Sequence, residues 1–126
     1  MYPSGAWRGF WEQTMFGKQP MRQLTLRFEG GRIDGDGVDV IGRFTFTGSY
    51  DEGGSVALIK QYMGLHQVLY RGAYDGEGSI LGRWSIGDHW SGPFALAPIR
   101  GESQENALVE AAGVDEPVLL EAVVER

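Results

Sequence analysis

The chain has 126 residues, 42% of them hydrophobic and 22% charged, and no cysteine. That is enough to close one core unaided and it points to a single domain without disulfides, a thiolate nucleophile or a cysteine-held metal. The net charge of −6 is confined to one end: residues 1–101 carry ten Lys/Arg against ten Asp/Glu, and residues 102–126 carry one Arg against seven acids. A neutral body lacks the basic footprint that phosphate neutralisation requires, so nucleic acid is not an expected partner.

No stretch reaches the roughly 18 to 20 apolar residues of a spanning helix, so no membrane partner is expected either. The start, Met1-Tyr2-Pro3-Ser4-Gly5, has neither the basic nor the apolar region of a signal peptide, and the expected location is the cytoplasm.

Along the chain, apolar and polar residues alternate in short runs broken by glycine and aspartate, the period of half-buried strands. Eight runs stand out, at about 5–13, 20–29, 32–36, 40–50, 55–62, 66–74, 78–87 and 90–98. The connections are short, which favours antiparallel neighbours. The expected fold class is therefore all-β, an eight-stranded antiparallel up-and-down barrel with a short C-terminal helical tail; closure removes the edges that an open sheet would expose. A β-sandwich is the alternative architecture. Residues 1–101 form the expected barrel domain and 102–126 an acidic, partly helical tail. Within that tail Gln104–Ala112 has helical composition ahead of Gly113, and Leu108, Leu119, Leu120, Val123 and Val124 imply docking on something.

Residues paired across two strands share a face, so register can be tested. A two-residue turn at Gly30-Gly31 pairs Glu29 with Arg32 outside and Phe28 with Ile33 inside. A three-residue loop at Met63-Gly64-Leu65 sets Tyr62 opposite His66 and Lys60 opposite Val68. Loops at Asp75-Gly76-Glu77 and Gly87-Asp88-His89 set Tyr70 opposite Gly82, Trp84 opposite Gly92 and Gly82 opposite Phe94. Rings repeatedly face glycines, which accounts for much of the glycine content, 20 residues in all: each glycine makes room for a ring and permits the coiling that closure demands.

The inward face collects aromatic and aliphatic residues, among them Trp7, Trp11, Phe44, Phe46, Tyr62, Tyr70, Trp84 and Phe94, together with Lys60 and His66. So many rings leave space for a small cavity at most. Lys60 interrupts the alternation Val56-x-Leu58-x-Lys60-x-Tyr62, and a buried ammonium needs a partner or a lowered pKa. Phe46 is expected opposite it. Lys60, Tyr62, His66, Tyr70, Phe46 and Trp84 are thus the candidate ligand-binding residues. In this reading Lys60 meets an anionic or carbonyl group, His66 and the tyrosine hydroxyls orient it, and the rings supply apolar area. The competing reading is that Lys60 and His66 lie near the barrel mouth and reach solvent by snorkelling. No inward Asp or Glu is apparent to complete a catalytic constellation, and no catalytic residue is assigned.

Two further patterns bear on metal binding. Asp34-Gly35-Asp36-Gly37-Val38-Asp39 fails as a calcium loop, because counting from Asp34 puts Val38 fifth and Thr45 twelfth where oxygen ligands are required; a tight turn is expected instead. His66 and His89 lie on different hairpin ends, a poor metal pair, so no metal and no cofactor are expected. Outward, Phe10, Ile41, Ala57, Ile59, Leu69, Leu81, Ala95 and Ala97 form an apolar set, with Ile59, Leu69 and Leu81 on consecutive strands. Such a stripe suits an interface, and a homodimer through those three residues is expected.

The Gly5-x-Trp7 start, the eight-strand meander and the Gly82-x-Trp84 and Gly92-x-Phe94 strands resemble the calycin superfamily: lipocalins, fatty-acid-binding proteins and avidins. The likeness covers roughly residues 5–100. It implies a small apolar or amphipathic ligand, and a lipocalin-like plan implies Arg100 packed over Trp7 to close one end. Departures accompany it: the connection Thr14–Gln19 is too short for a two-helix lid, and Trp7 and Trp11 point inward where avidin-like barrels place small polar groups for biotin.

Taken together, the sequence points first to non-enzymatic binding of a small hydrophobic or amphipathic ligand inside the barrel. The alternatives are a filled barrel serving as an interaction or oligomerisation module, and a small enzyme using Lys60 or His66.

Overall fold

A computed structural model describes residues 1–99. The acidic tail, its expected helix and the expected Arg100 cap lie outside the described residues. Eight strands follow in order: β1 (Gly5–Gln13), β2 (Gly17–Glu29), β3 (Arg32–Val38), β4 (Arg43–Tyr50), β5 (Ser55–Tyr62), β6 (Gln67–Tyr74), β7 (Ile80–Ile86) and β8 (Trp90–Pro98). Every neighbouring pair is antiparallel, and β8 returns to β1, so the sheet is a closed up-and-down barrel. Closure is sealed by Trp7 opposite Pro98 and Trp11 opposite Phe94.

Most of the register follows from the turns. Gly30 and Gly31 both have positive φ, +59° and +82°, the conformation of a tight hairpin turn whose twist matches its strands, and Glu29 pairs with Arg32 and Phe28 with Ile33. Phe46 lies opposite Lys60, Lys60 opposite Val68, and Trp84 opposite Gly92. At the β6–β7 connection the register differs from expectation by two residues: Tyr70 lies opposite Trp84, and Gly72, not Tyr70, faces Gly82. The cause is a longer loop, in which Asp75 Oδ1 accepts from the amides of Glu77 and Ser79 and the Asp75 amide donates to the Ser79 carbonyl. A shift of two preserves the face of every side chain.

Two strand limits also move. β3 runs on to Val38, so Asp34-Gly35-Asp36-Gly37 is strand and the turn falls at Asp39–Gly42; β4 starts only at Arg43. In β2 a bulge between Arg22 and Thr25 puts Gln23 at φ +53° and reverses the alternation. Met21 as well as Leu24 therefore faces the core, which unbroken alternation does not allow.

The interior is packed with rings. At the end formed by the β2–β3, β4–β5 and β6–β7 loops, Tyr2 is buried and donates from its hydroxyl to the Gly54 carbonyl at 2.6 Å. Its ring touches Trp7, Phe28, Tyr50 and Tyr74, and the Trp7 indole donates to the Pro3 carbonyl at 2.8 Å. The N-terminal segment thus plugs this end. The opposite end carries the β1–β2, β3–β4, β5–β6 and β7–β8 loops.

Candidate functional site

Toward that opposite end the core turns polar. Lys60 and Asp39 are the charged residues of the buried set, with Lys60 fully enclosed and Asp39 only 3% exposed. The Lys60 ammonium lies 2.6 Å from Asp39 Oδ2 and also donates to the Tyr70 hydroxyl at 3.2 Å. Its remaining surroundings are aromatic, with Nζ 4.2 Å from the ring centre of Phe44 and 4.9 Å from that of Tyr62. Asp39 Oδ2 further accepts from the Tyr62 hydroxyl at 2.8 Å and the Trp11 indole at 3.0 Å. Oδ1 accepts from the Ile41 amide at 3.0 Å, within the turn that the Asp39 amide closes on the Gly42 carbonyl. One carboxylate thus receives four donors from β1, β5 and its own turn, the degree of pairing that a buried charge requires.

The electrostatics follow. Burial pulls the Lys60 ammonium down to about 8, against the nearby Asp39 charge and hydrogen bond, which hold it up. Burial, reinforced by the same carboxylate, pushes the Tyr62 and Tyr70 hydroxyls upward, so both stay protonated through the neutral range. The cluster as a whole is charge-neutral: one ammonium, one carboxylate and two phenols.

Asp39 supplies the inward acid that the sequence reading did not find. Continued through its inward residues Ile33, Gly35 and Gly37, the β3 alternation reaches Asp39 as the next position on the same face. That parity, together with the need of Lys60 for a counter-charge, is the signal that marks it.

Above the cluster lies a cavity of about 120 Å³, lined by Trp11, Gln13, Ile41, Tyr62, His66, Val68, Tyr70, Trp84 and Ile86. Of the six sequence-selected residues, Tyr62, Tyr70, Trp84 and His66 belong to this wall. Lys60 and Phe46 stand outside it, Lys60 joined to it through its bond to Tyr70. His66 is not an interior residue as expected: it precedes β6, is exposed, and its ring sits 5.2 Å from that of Tyr62 at the mouth. Lys60 does not snorkel, being fully buried. The Trp84 indole donates to the Glu12 carbonyl at 2.9 Å, so both tryptophan N–H groups in the wall are already engaged.

Around the mouth, three of the four loops expose large apolar side chains, Met15 and Phe16 between β1 and β2, Val40 and Ile41 between β3 and β4, and Met63 and Leu65 between β5 and β6. On the barrel wall Ile59 pairs directly with Leu69, whereas Leu81 lies opposite Ala73 and Ala95, away from Leu69. Among the described residues no cluster of His, Asp and Glu is arranged to hold a metal.

No protein-family model matches the chain, and no curated protein matches it.

Proposed function

We propose that the chain binds a small hydrophobic or amphipathic molecule in the cavity at the open end of the barrel, in the manner of a calycin. The observation that carries this reading is the joining of an apolar-walled cavity to a buried, charge-paired polar cluster through Tyr62 and Tyr70. Apolar walls with a few fixed polar groups at one end are what small-molecule sites need, area for affinity and direction for specificity. Trp11, Trp84, Val68 and Ile86 supply the apolar wall, the two tyrosines the polar end, and exposed His66 the entrance.

The test is a titration of ¹⁵N-labelled protein with a library of single-ring compounds, following the indole N–H signals of Trp11 and Trp84. Saturable shifts at these two signals support the reading. Shifts absent from both across the library would remove it.

A second reading, an interaction or self-association module, is favoured by the exposed apolar residues on three of the mouth loops. Sedimentation velocity separates the two: a monomer at micromolar concentration that still binds ring compounds supports the ligand site alone. A dimer that dissociates on substitution of Met63 and Leu65 supports the module, and one that dissociates on substitution of Ile59 and Leu69 supports a dimer through the barrel wall.

A further inference from the structure

The hydrogen-bond inventory of the cluster narrows what the cavity can take. Asp39 is saturated by Lys60, Tyr62, Trp11 and the Ile41 amide. The Tyr62 proton is spent on Asp39, and the two tryptophan N–H groups are spent on Asp39 and the Glu12 carbonyl. Tyr70 differs. Its oxygen accepts from Lys60, and among the described residues its own proton has no acceptor, although Tyr70 is 1% exposed and lies in the cavity wall. A buried O–H without an acceptor is uncommon and unfavourable, so the cavity side of Tyr70 is a donor awaiting an oxygen.

Charge narrows the choice further. The positive charge of Lys60 is cancelled by Asp39 at 2.6 Å and stands outside the cavity wall. Apart from His66 at the mouth, a carboxylate ligand would meet no free cation there, and an ammonium ligand no free anion; at the Tyr70 end either would be desolvated without compensation. Size narrows it again: an engineered apolar cavity of roughly 150 Å³ takes benzene, so about 120 Å³ suits a single ring whose substituent or edge extends toward the His66 side.

Resting on the ligand-binding reading above, we infer that the site selects uncharged, single-ring molecules bearing a carbonyl oxygen, which accepts a hydrogen bond from the Tyr70 hydroxyl. Burial keeps that hydroxyl protonated, so the donor is present throughout the neutral range.

The experiment compares acetophenone, its apolar counterpart ethylbenzene, and benzoate by titration against wild type and Tyr70→Phe, read at the Trp11 and Trp84 indole signals. The inference expects acetophenone to bind wild type roughly three- to tenfold more tightly than ethylbenzene, the worth of one net hydrogen bond, and benzoate to bind more weakly than either. In Tyr70→Phe the acetophenone advantage disappears while ethylbenzene affinity is retained. An infrared spectrum of acetophenone bound to wild type gives a reading independent of the variant's folding: the carbonyl stretch moves to lower frequency if the bond forms. Benzoate binding as tightly as acetophenone, an advantage that survives in Tyr70→Phe, or an unshifted carbonyl band overturns the inference while leaving ligand binding intact. Failure of all three compounds to move either indole signal overturns the inference, and the ligand-binding reading with it when the rest of the single-ring library is silent too.

Discussion

Asp39→Asn tests the polar cluster most severely, because it removes one charge while nearly conserving volume. In the wild type, Oδ2 serves Lys60 Nζ at 2.6 Å, the Tyr62 hydroxyl at 2.8 Å and the Trp11 indole at 3.0 Å, and Oδ1 serves the Ile41 amide at 3.0 Å. An asparagine has a single acceptor oxygen. Turned toward Lys60, its amide opposes the Ile41 N–H; turned the other way, it opposes three donors. Breaking a buried pair by removing one partner costs about 3 to 5 kcal/mol, a large share of the roughly 5 to 15 kcal/mol that holds a domain together. With a guanidinium m-value of about 3 kcal/mol/M, the denaturation midpoint should fall by about 1 M or more at pH 7.

The deficit should also depend on pH. Without Asp39 the Lys60 ammonium loses the interactions that hold its pKa up near 8, and the variant is relieved of the buried charge as the pH rises toward 9. Guanidinium titrations at pH 7 and pH 9, followed by tryptophan fluorescence, measure both effects. A midpoint within about 0.3 M of wild type at pH 7, or a deficit that grows between pH 7 and 9, would refute the reasoning.

Three more outcomes follow from the same structure. Lys60 binds fewer protons folded, where its pKa is about 8, than unfolded, where it has its ordinary value of 10.5, so its contribution to stability rises with pH between about 8 and 10. Above 10 the raised Tyr62 and Tyr70 hydroxyls act oppositely, since the unfolded chain ionises first and stability falls; denaturation midpoints of wild type and Lys60→Met across pH 7.5 to 11 should show the rise only in the wild type. A Cβ on Gly48 would overlap the Ala57 carbonyl of the neighbouring strand, whereas one on Gly53 meets nothing nearer than an Asp51 side-chain oxygen at 3.4 Å. Gly48→Ala should therefore cost more than about 2 kcal/mol, and Gly53→Ala should be within about 1 kcal/mol of neutral, both read by thermal unfolding. Tyr2→Ala, which unplugs the closed end, should cost about 3 to 5 kcal/mol, measured by guanidinium denaturation; a loss under 1 kcal/mol would show that the N-terminal segment does not seal the barrel.

The fold was largely legible because pleat and turn chemistry agree. Alternation in β4 and β5 placed Phe44, Phe46, Leu58, Lys60 and Tyr62 inward, and the Gly30-Gly31 turn fixed its own register. What escaped were places where local backbone geometry breaks the period. The bulge at Arg22–Thr25 turned Met21 inward, and the carboxylate-bridged loop Asp75–Ser79 displaced the β6–β7 register. The candidate site was legible in its rings and its lysine but not in its acid. Asp39 sits beyond the end of β3, in a run that reads as a turn, and only the burial of Lys60 reveals that an anion must come from somewhere. His66 was misplaced for the converse reason, as a residue of matching parity lying just outside its strand.

The most direct check on the central reading is a set of intermolecular nuclear Overhauser contacts from bound acetophenone. The account predicts contacts to the ring protons of Trp84 and Tyr70 and to the methyls of Val68 and Ile86, all in the cavity wall. Contacts confined to Ile59, Leu69 or the exposed loop residues Met63 and Leu65 would contradict it.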